Sequence, residues 1–133
     1  MFSKNSHKTP SRIDSLVGAG TKVEGNVAFT GGLRVDGEIC GNVMATGDQS
    51  STLVISEQAR IEGEITVSHL VVNGTVVGPI HSSGFLELQA KARVTGDVEY
   101  NTIEIHLGAV VQGRLIHQGA SAKSVELKLA NTK

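Results

Sequence analysis

Residues 55–65, Ile-Ser-Glu-Gln-Ala-Arg-Ile-Glu-Gly-Glu-Ile, constrain the whole chain because the same frame is written several times. The frame runs aliphatic, three open positions, small or neutral, one open position, aliphatic, polar, Gly, polar, aliphatic. It also fits residues 17–27, 88–98 and 105–115, with Gly25, Gly63, Gly96 and Gly113 each two positions before the closing aliphatic. Two shorter copies, residues 35–43 and 72–80, alternate aliphatic and glycine strictly. A period of two carries Val35, Ile39 and Val43 to one face of a strand and Asp36, Glu38, Cys40 and Asn42 to the other.

The closing aliphatics are Val27, Val43, Ile65, Ile80, Val98 and Leu115, separated by 16, 22, 15, 18 and 17 residues. The unit is therefore about 17 to 18 residues, and the long step is accounted for by a polar insertion at residues 47–52 that reads as a loop at one corner. Further strand candidates lie at residues 52–55, 70–72, 85–88 and 102–105, and no segment has helical periodicity with caps. A unit this short cannot bury its own apolar face and must stack on copies of itself. The expected fold is an all-β, single-domain parallel β-helix of about six coils with disordered termini. At about 4.8 Å per coil its rod is about 29 Å long. Residues 1–15 read as a disordered leader and 16–117 as the β-helix. Residues 118–133 form either a free tail or a partial cap, in which residues 125–129 alternate like a last edge strand.

Composition agrees with this reading. The aromatic residues are Phe2, Phe29, Phe85 and Tyr100, so Val, Ile and Leu must build the core, and sixteen glycines serve tight bends. A formal net charge of -1 gives no field to attract nucleic acid. Cys40 is the sole cysteine, which excludes an internal disulfide and fits a reducing compartment. The start has no secretory pattern, and no run approaches the roughly 20 apolar residues of a membrane span. The expectation is a soluble or peripheral cytoplasmic protein.

The residues that might carry catalysis or bind metal do not assemble in the sequence. Ligands on a β-helix should recur at one place on successive coils, but His81 falls one residue after its marker, His117 two and His69 four. These, with His106, read as single surface histidines. Glu62 and Glu64 lie on an outer face without a cleft to shift their pKa values. Cys40 has no His or cationic neighbour in sequence. Phosphate loops, zinc spacings, nucleophile elbows and stacked aromatic strips are absent. Catalytic, cofactor and metal sites are all expected to be none.

Interest falls on the two ends. A terminal coil presents unpaired backbone groups above an apolar interior, and solenoids ordinarily close such ends with a cap. Val17, Val23 and Val27 line one end and Ile105, Val111 and Leu115 the other, with at most one short strand over the second. End-to-end stacking into a filament follows, with these six residues as the polymer interface. The leader reads in two ways. It is a plain solvated start, or it is a short anchor in which Met1 and Phe2 enter the headgroup boundary while Lys4, Lys8 and Arg12 meet anionic lipid at about 1 kcal/mol per charge. Such an anchor holds only when many copies act together.

These residues resemble the bactofilins, bacterial cytoskeletal proteins. The likeness spans nearly the whole chain: the Met1-Phe2-Ser3-Lys4 start, the repeated unit through Val27, Ile65, Val98 and Leu115, and residues 70–80 as central coils. The resemblance implies a right-handed β-helix that polymerises without nucleotide into non-polar filaments, joined head to head and tail to tail. It further implies binding to the inner face of the cytoplasmic membrane, with Met1, Phe2 and Lys4 in the targeting leader, and recruitment of cell-wall synthesis or hydrolysis enzymes or of shape machinery. One departure is Val111, where family members often carry an aromatic at the joining end. The main rival is a left-handed β-helix acyltransferase, since Val17, Val23, Phe29 and Val35 lie six apart, but that series is lost at Gly41. A polysaccharide-cleaving β-helix lacks its acidic cluster, and a soluble adaptor with capped ends would share the fold without filaments.

Overall fold

The computed structural model describes residues 13–47 and 50–118, and the regular structure among them is all strand. The first coil is built from β1 (Ser15–Val17), β2 (Lys22–Glu24) and β3 (Val27–Phe29). The second contains β4 (Gly32–Val35), β5 (Glu38–Cys40) and β6 (Val43–Ala45), and the third β7 (Thr52–Ile55), β8 (Arg60–Glu62) and β9 (Ile65–Val67). The fourth runs through β10 (His69–Val72) and β11 (Thr75–Val77) into β12 (Ile80–Leu88). β12 rounds a corner into the fifth coil, which continues through β13 (Arg93–Thr95) into β14 (Val98–Ile105). The sixth finishes with β15 (Val110–Gln112) and β16 (Leu115–His117).

Every strand pairs in parallel with its counterpart one coil away, so the chain is a six-coil parallel β-solenoid. The register stacks like on like. The closing aliphatics Val27, Val43, Ile65, Ile80, Val98 and Leu115 form one column. Val23, Ile39, Ile61, Val76, Val94 and Val111 form a second, and Val17, Val35, Ile55, Val72, Leu88 and Ile105 a third. In the four middle coils every member of these columns is at most 1% exposed. β-branched and leucine side chains stack here because each coil repeats the pleat of the one below at about 4.8 Å.

A column of glycines runs beside this core. Gly25, Gly41, Gly63, Gly78, Gly96 and Gly113 all have φ between +134° and +157°, a region closed to side chains with a Cβ. From Gly41 onward a Cβ would also lie only 2.0–2.5 Å from the carbonyl oxygen of the column glycine in the preceding coil. Glycine here is thus required twice, by dihedral and by stacking distance.

The next position carries a second ladder. Asn26 Oδ1 accepts the Asn42 N–H at 2.9 Å, Asn42 Oδ1 the Glu64 N–H at 2.9 Å, and Asp97 Oδ1 the Arg114 N–H at 3.0 Å. Pro79 interrupts it, because proline has no N–H to give to Glu64. The Glu64 carboxylate turns instead to His81.

The strands expected at residues 85–88 and 102–105 are present, as the second halves of β12 and β14, which cross the corner without a break. In β12 a register shift between Ser82 and Phe85 takes up one extra residue relative to β14, so the strand bends there without a loop. The polar insertion at residues 47–52 is not all loop, since Ser51 and Thr52 are buried and Ser51 Oγ lies 3.3 Å from Ser68 Oγ. Of the leader expected at residues 1–15, Ile13, Asp14 and Ser15 are described, with the Asp14 N–H donating to the Gly32 carbonyl at 2.9 Å and Ser15 opening β1, while residues 1–12 and the strand expected at 125–129 lie outside the described residues.

Candidate functional site

The two ends of the solenoid are chemically unlike its sides. Among the described residues β1, β2 and β3 each pair on one edge only, as do β15, β16 and the second half of β14. Each end therefore offers three edge strands with unpaired N–H and C=O groups, the arrangement that templates pairing with another chain.

Side-chain exposure follows the same division. Ile105 is 47% exposed and Leu115 44%, while Leu88 and Val98, one coil below in the same columns, are 0% exposed. Val111 is half-buried over buried Val94. At the other end Val17, Val23 and Val27 are half-buried, whereas Val35, Ile39 and Val43 beneath them are fully buried. All six residues lie in the first and last coils, and among the described residues each has a stacking partner on one side alone. Leu16, 59% exposed, and Leu107, 96% exposed, add apolar surface at the two end coils. The proposed membrane-binding residues Met1, Phe2 and Lys4 lie outside the described residues.

The sides carry charge organised across coils. His81 is not the single surface histidine expected from sequence. Its Nε2 lies 2.6 Å from Glu64 Oε2 and its Nδ1 3.0 Å from Glu99 Oε1, tying coils three, four and five. Hydrogen bonds from His81 and then from Gln118 hold the Glu99 carboxyl below its ordinary range. His106 likewise faces two carboxylates, Glu104 at 2.9 Å and Glu87 at 3.2 Å. The histidines do not align with one another along the coils, but His81 aligns with an acid. Glu99 sits one residue after its marker, just as His81 does, so comparing histidines with acids one coil away reveals the contact. Glu62, by contrast, is held by Arg60 within its own coil, and Cys40 is half-buried with its Sγ 3.9 Å from Glu38.

Asp97 and Arg114 fasten the last coil. The Arg114 side chain first, then its backbone N–H, hold the Asp97 carboxyl below its ordinary value of 3.8. A lowered pKa in the folded state contributes stability that is present above the ordinary value and lost as pH falls through the lowered one. The Arg114 amide is accordingly expected to lose exchange protection on acidification below 3.8. Asp97→Asn, which keeps an acceptor without the titrating charge, should flatten this response in hydrogen exchange read by mass spectrometry. Equal pH profiles for the two proteins would contradict the assignment.

The family model named Bactofilin, described as polymer-forming cytoskeletal, matches residues 15–116. Among curated proteins the chain is similar to Bactofilin BacP of Myxococcus xanthus (strain DK1622), 27% identical over 106 residues. The match covers 79% of this chain and 42% of that protein, so the chain spans less than half the length of BacP. It is also similar to Bactofilin BacO of the same strain, 23% identical over 108 residues, covering 81% of this chain and 82% of the relative. No solved structure matches the chain.

Proposed function

This chain belongs to the bactofilin family, a polymer-forming cytoskeletal family, and we propose that it is a scaffold whose copies join through the two open solenoid ends. The observation that carries this reading is the contrast within single columns, where Ile105 and Leu115 are nearly half exposed over neighbours that are wholly buried. Burial of apolar area at about 25 cal/mol per Å² and completion of the edge hydrogen bonds both favour a second copy there.

Joining needs no nucleotide, because the energy comes from surfaces already formed. The filaments are non-polar, with like ends meeting, and the coils wind with a right hand. The leader residues Met1, Phe2 and Lys4 hold the filament at the inner face of the cytoplasmic membrane. One leader is weak, and a row of them on one polymer multiplies the attachment. There the polymer positions cell-wall or cell-shape enzymes. Among the described residues no helix is long and apolar enough to cross a membrane. The acyltransferase alternative has no support from the family match.

The test is electron microscopy of the purified chain without nucleotide, beside co-sedimentation with anionic vesicles. Filaments are expected, and removal of residues 1–12, which leaves β1 intact, is expected to abolish vesicle binding. A monodisperse monomer at high concentration contradicts the polymer reading, and unchanged vesicle binding contradicts the anchor.

A further inference from the structure

Glu87, Glu104 and His106 bring their ligand atoms together within 4.8 Å on one outer face of coils five and six. Glu87 and Glu104 are directly stacked partners in the parallel register between β12 and β14. Like charges placed opposite one another across strands oppose pairing, so this step of the ladder carries a repulsion that its surroundings must offset.

The geometry of His106 differs from that of His81 in one decisive respect. His81 gives each carboxylate its own ring nitrogen. At His106 one atom, Nε2, faces both Glu104 Oε2 at 2.9 Å and Glu87 Oε2 at 3.2 Å. A ring N–H lies along one direction, so it cannot donate linearly to both oxygens. Three lone-pair donors within 4.8 Å of one another can close on a cation, with Glu87 Oε2 exchanging its 3.2 Å hydrogen bond from Gln89 Nε2 for the ion. Divalent zinc bonds to imidazole nitrogen and carboxylate oxygen at about 2.0–2.2 Å, which in a tetrahedral site sets ligand atoms about 3.3–3.6 Å apart. The two His106 contacts, 2.9 and 3.2 Å, are shorter than that range and the three ligand atoms lie within 4.8 Å of one another, so small side-chain rotations would open the site to the ion. The side chains of His106 and Glu104 are 38% and 58% exposed, leaving a way in from solvent and positions for water.

We propose that Glu87, Glu104 and His106 form a binding site for a divalent transition-metal cation that clamps the last coil to the one below it. Imidazole with two carboxylates selects zinc-like ions over magnesium or calcium, which take all-oxygen sets. The cation neutralises the stacked carboxylates and links Glu87 of coil five to Glu104 and His106 of coil six.

The test is calorimetric titration of the untagged full chain with Zn²⁺ alone, with hydrogen exchange of residues 102–117 recorded in parallel. One site per chain is expected, weakened ten-fold or more in Glu104→Gln and in His106→Ala. Glu64→Gln, which alters only the His81 bridge, should bind as the unaltered chain does. Zinc should slow exchange in the last coil of the unaltered protein and leave that of His106→Ala unchanged. Circular dichroism establishes that each variant is folded, and Glu104→Gln preserves side-chain shape if His106→Ala proves unstable. Absence of zinc binding overturns the proposal, as does binding that neither variant weakens or that Glu64→Gln weakens equally.

Discussion

Gly63→Ala is expected to destabilise the solenoid by about 3–5 kcal/mol, from strain at a forbidden φ together with overpacking. Gly63 has φ +152°, and a Cβ there would lie 2.1 Å from the Gly41 carbonyl oxygen. The neighbouring coil cannot withdraw, because Gly41 is itself held by its N–H to the Glu62 carbonyl at 2.9 Å. Backbone must therefore shift between coils two and three, and with it the register of Ile39 on Ile61 and of Val43 on Ile65. Gly25→Ala is the control. It shares the positive φ of +134° but meets no atom within 4 Å, so its cost in the isolated chain is the dihedral strain, about 1–3 kcal/mol. Chemical denaturation measured below the concentration of assembly separates the two. Equal losses would show that dihedral strain, and not coil-to-coil contact, is what the glycine column relieves.

The same column explains why the fold was legible in the sequence. The glycine and the aliphatic two residues later are fixed by a demand repeated at every coil, so the six closing aliphatics of the sequence, Val27, Val43, Ile65, Ile80, Val98 and Leu115, form one stacked column. Corners are specified less tightly. The turn after Ser82 is made by a bulge in a continuous strand, and residues such as Ser83 and Gly84 give no sign of whether the chain breaks there or bends. The outer face was the least legible. Side chains there obey no common demand, and contacts such as His81 with Glu64 and Glu99 depend on which residues fall one coil apart and on Pro79 withholding an N–H. Val17, Val23, Val27, Ile105, Val111 and Leu115 continue the core pattern where the repeat runs out, which places them in the first and last coils. Their partial exposure on the open faces is what the structure adds.

The second large effect concerns those ends. Ile105→Lys with Leu115→Lys places two ammonium groups on the open C-terminal face, at side chains already 47% and 44% exposed in the single chain. The fold should tolerate the change, since a lysine stem can cover apolar surface while its head stays in water. A joint between copies should not. Burying an unpaired ammonium costs several kcal/mol, and each 1.4 kcal/mol is ten-fold in association, so the concentration needed for assembly should rise by roughly 100-fold or more. The opposite end, with Val17, Val23 and Val27, is untouched by these substitutions.

Sedimentation velocity and electron microscopy of the Ile105→Lys/Leu115→Lys protein therefore test most directly whether the open ends join the copies. The account predicts dimers, paired through their N-terminal faces, and no filaments. Monomers alone would contradict the joining of like ends, and filaments indistinguishable from those of the unaltered chain would contradict the account as a whole.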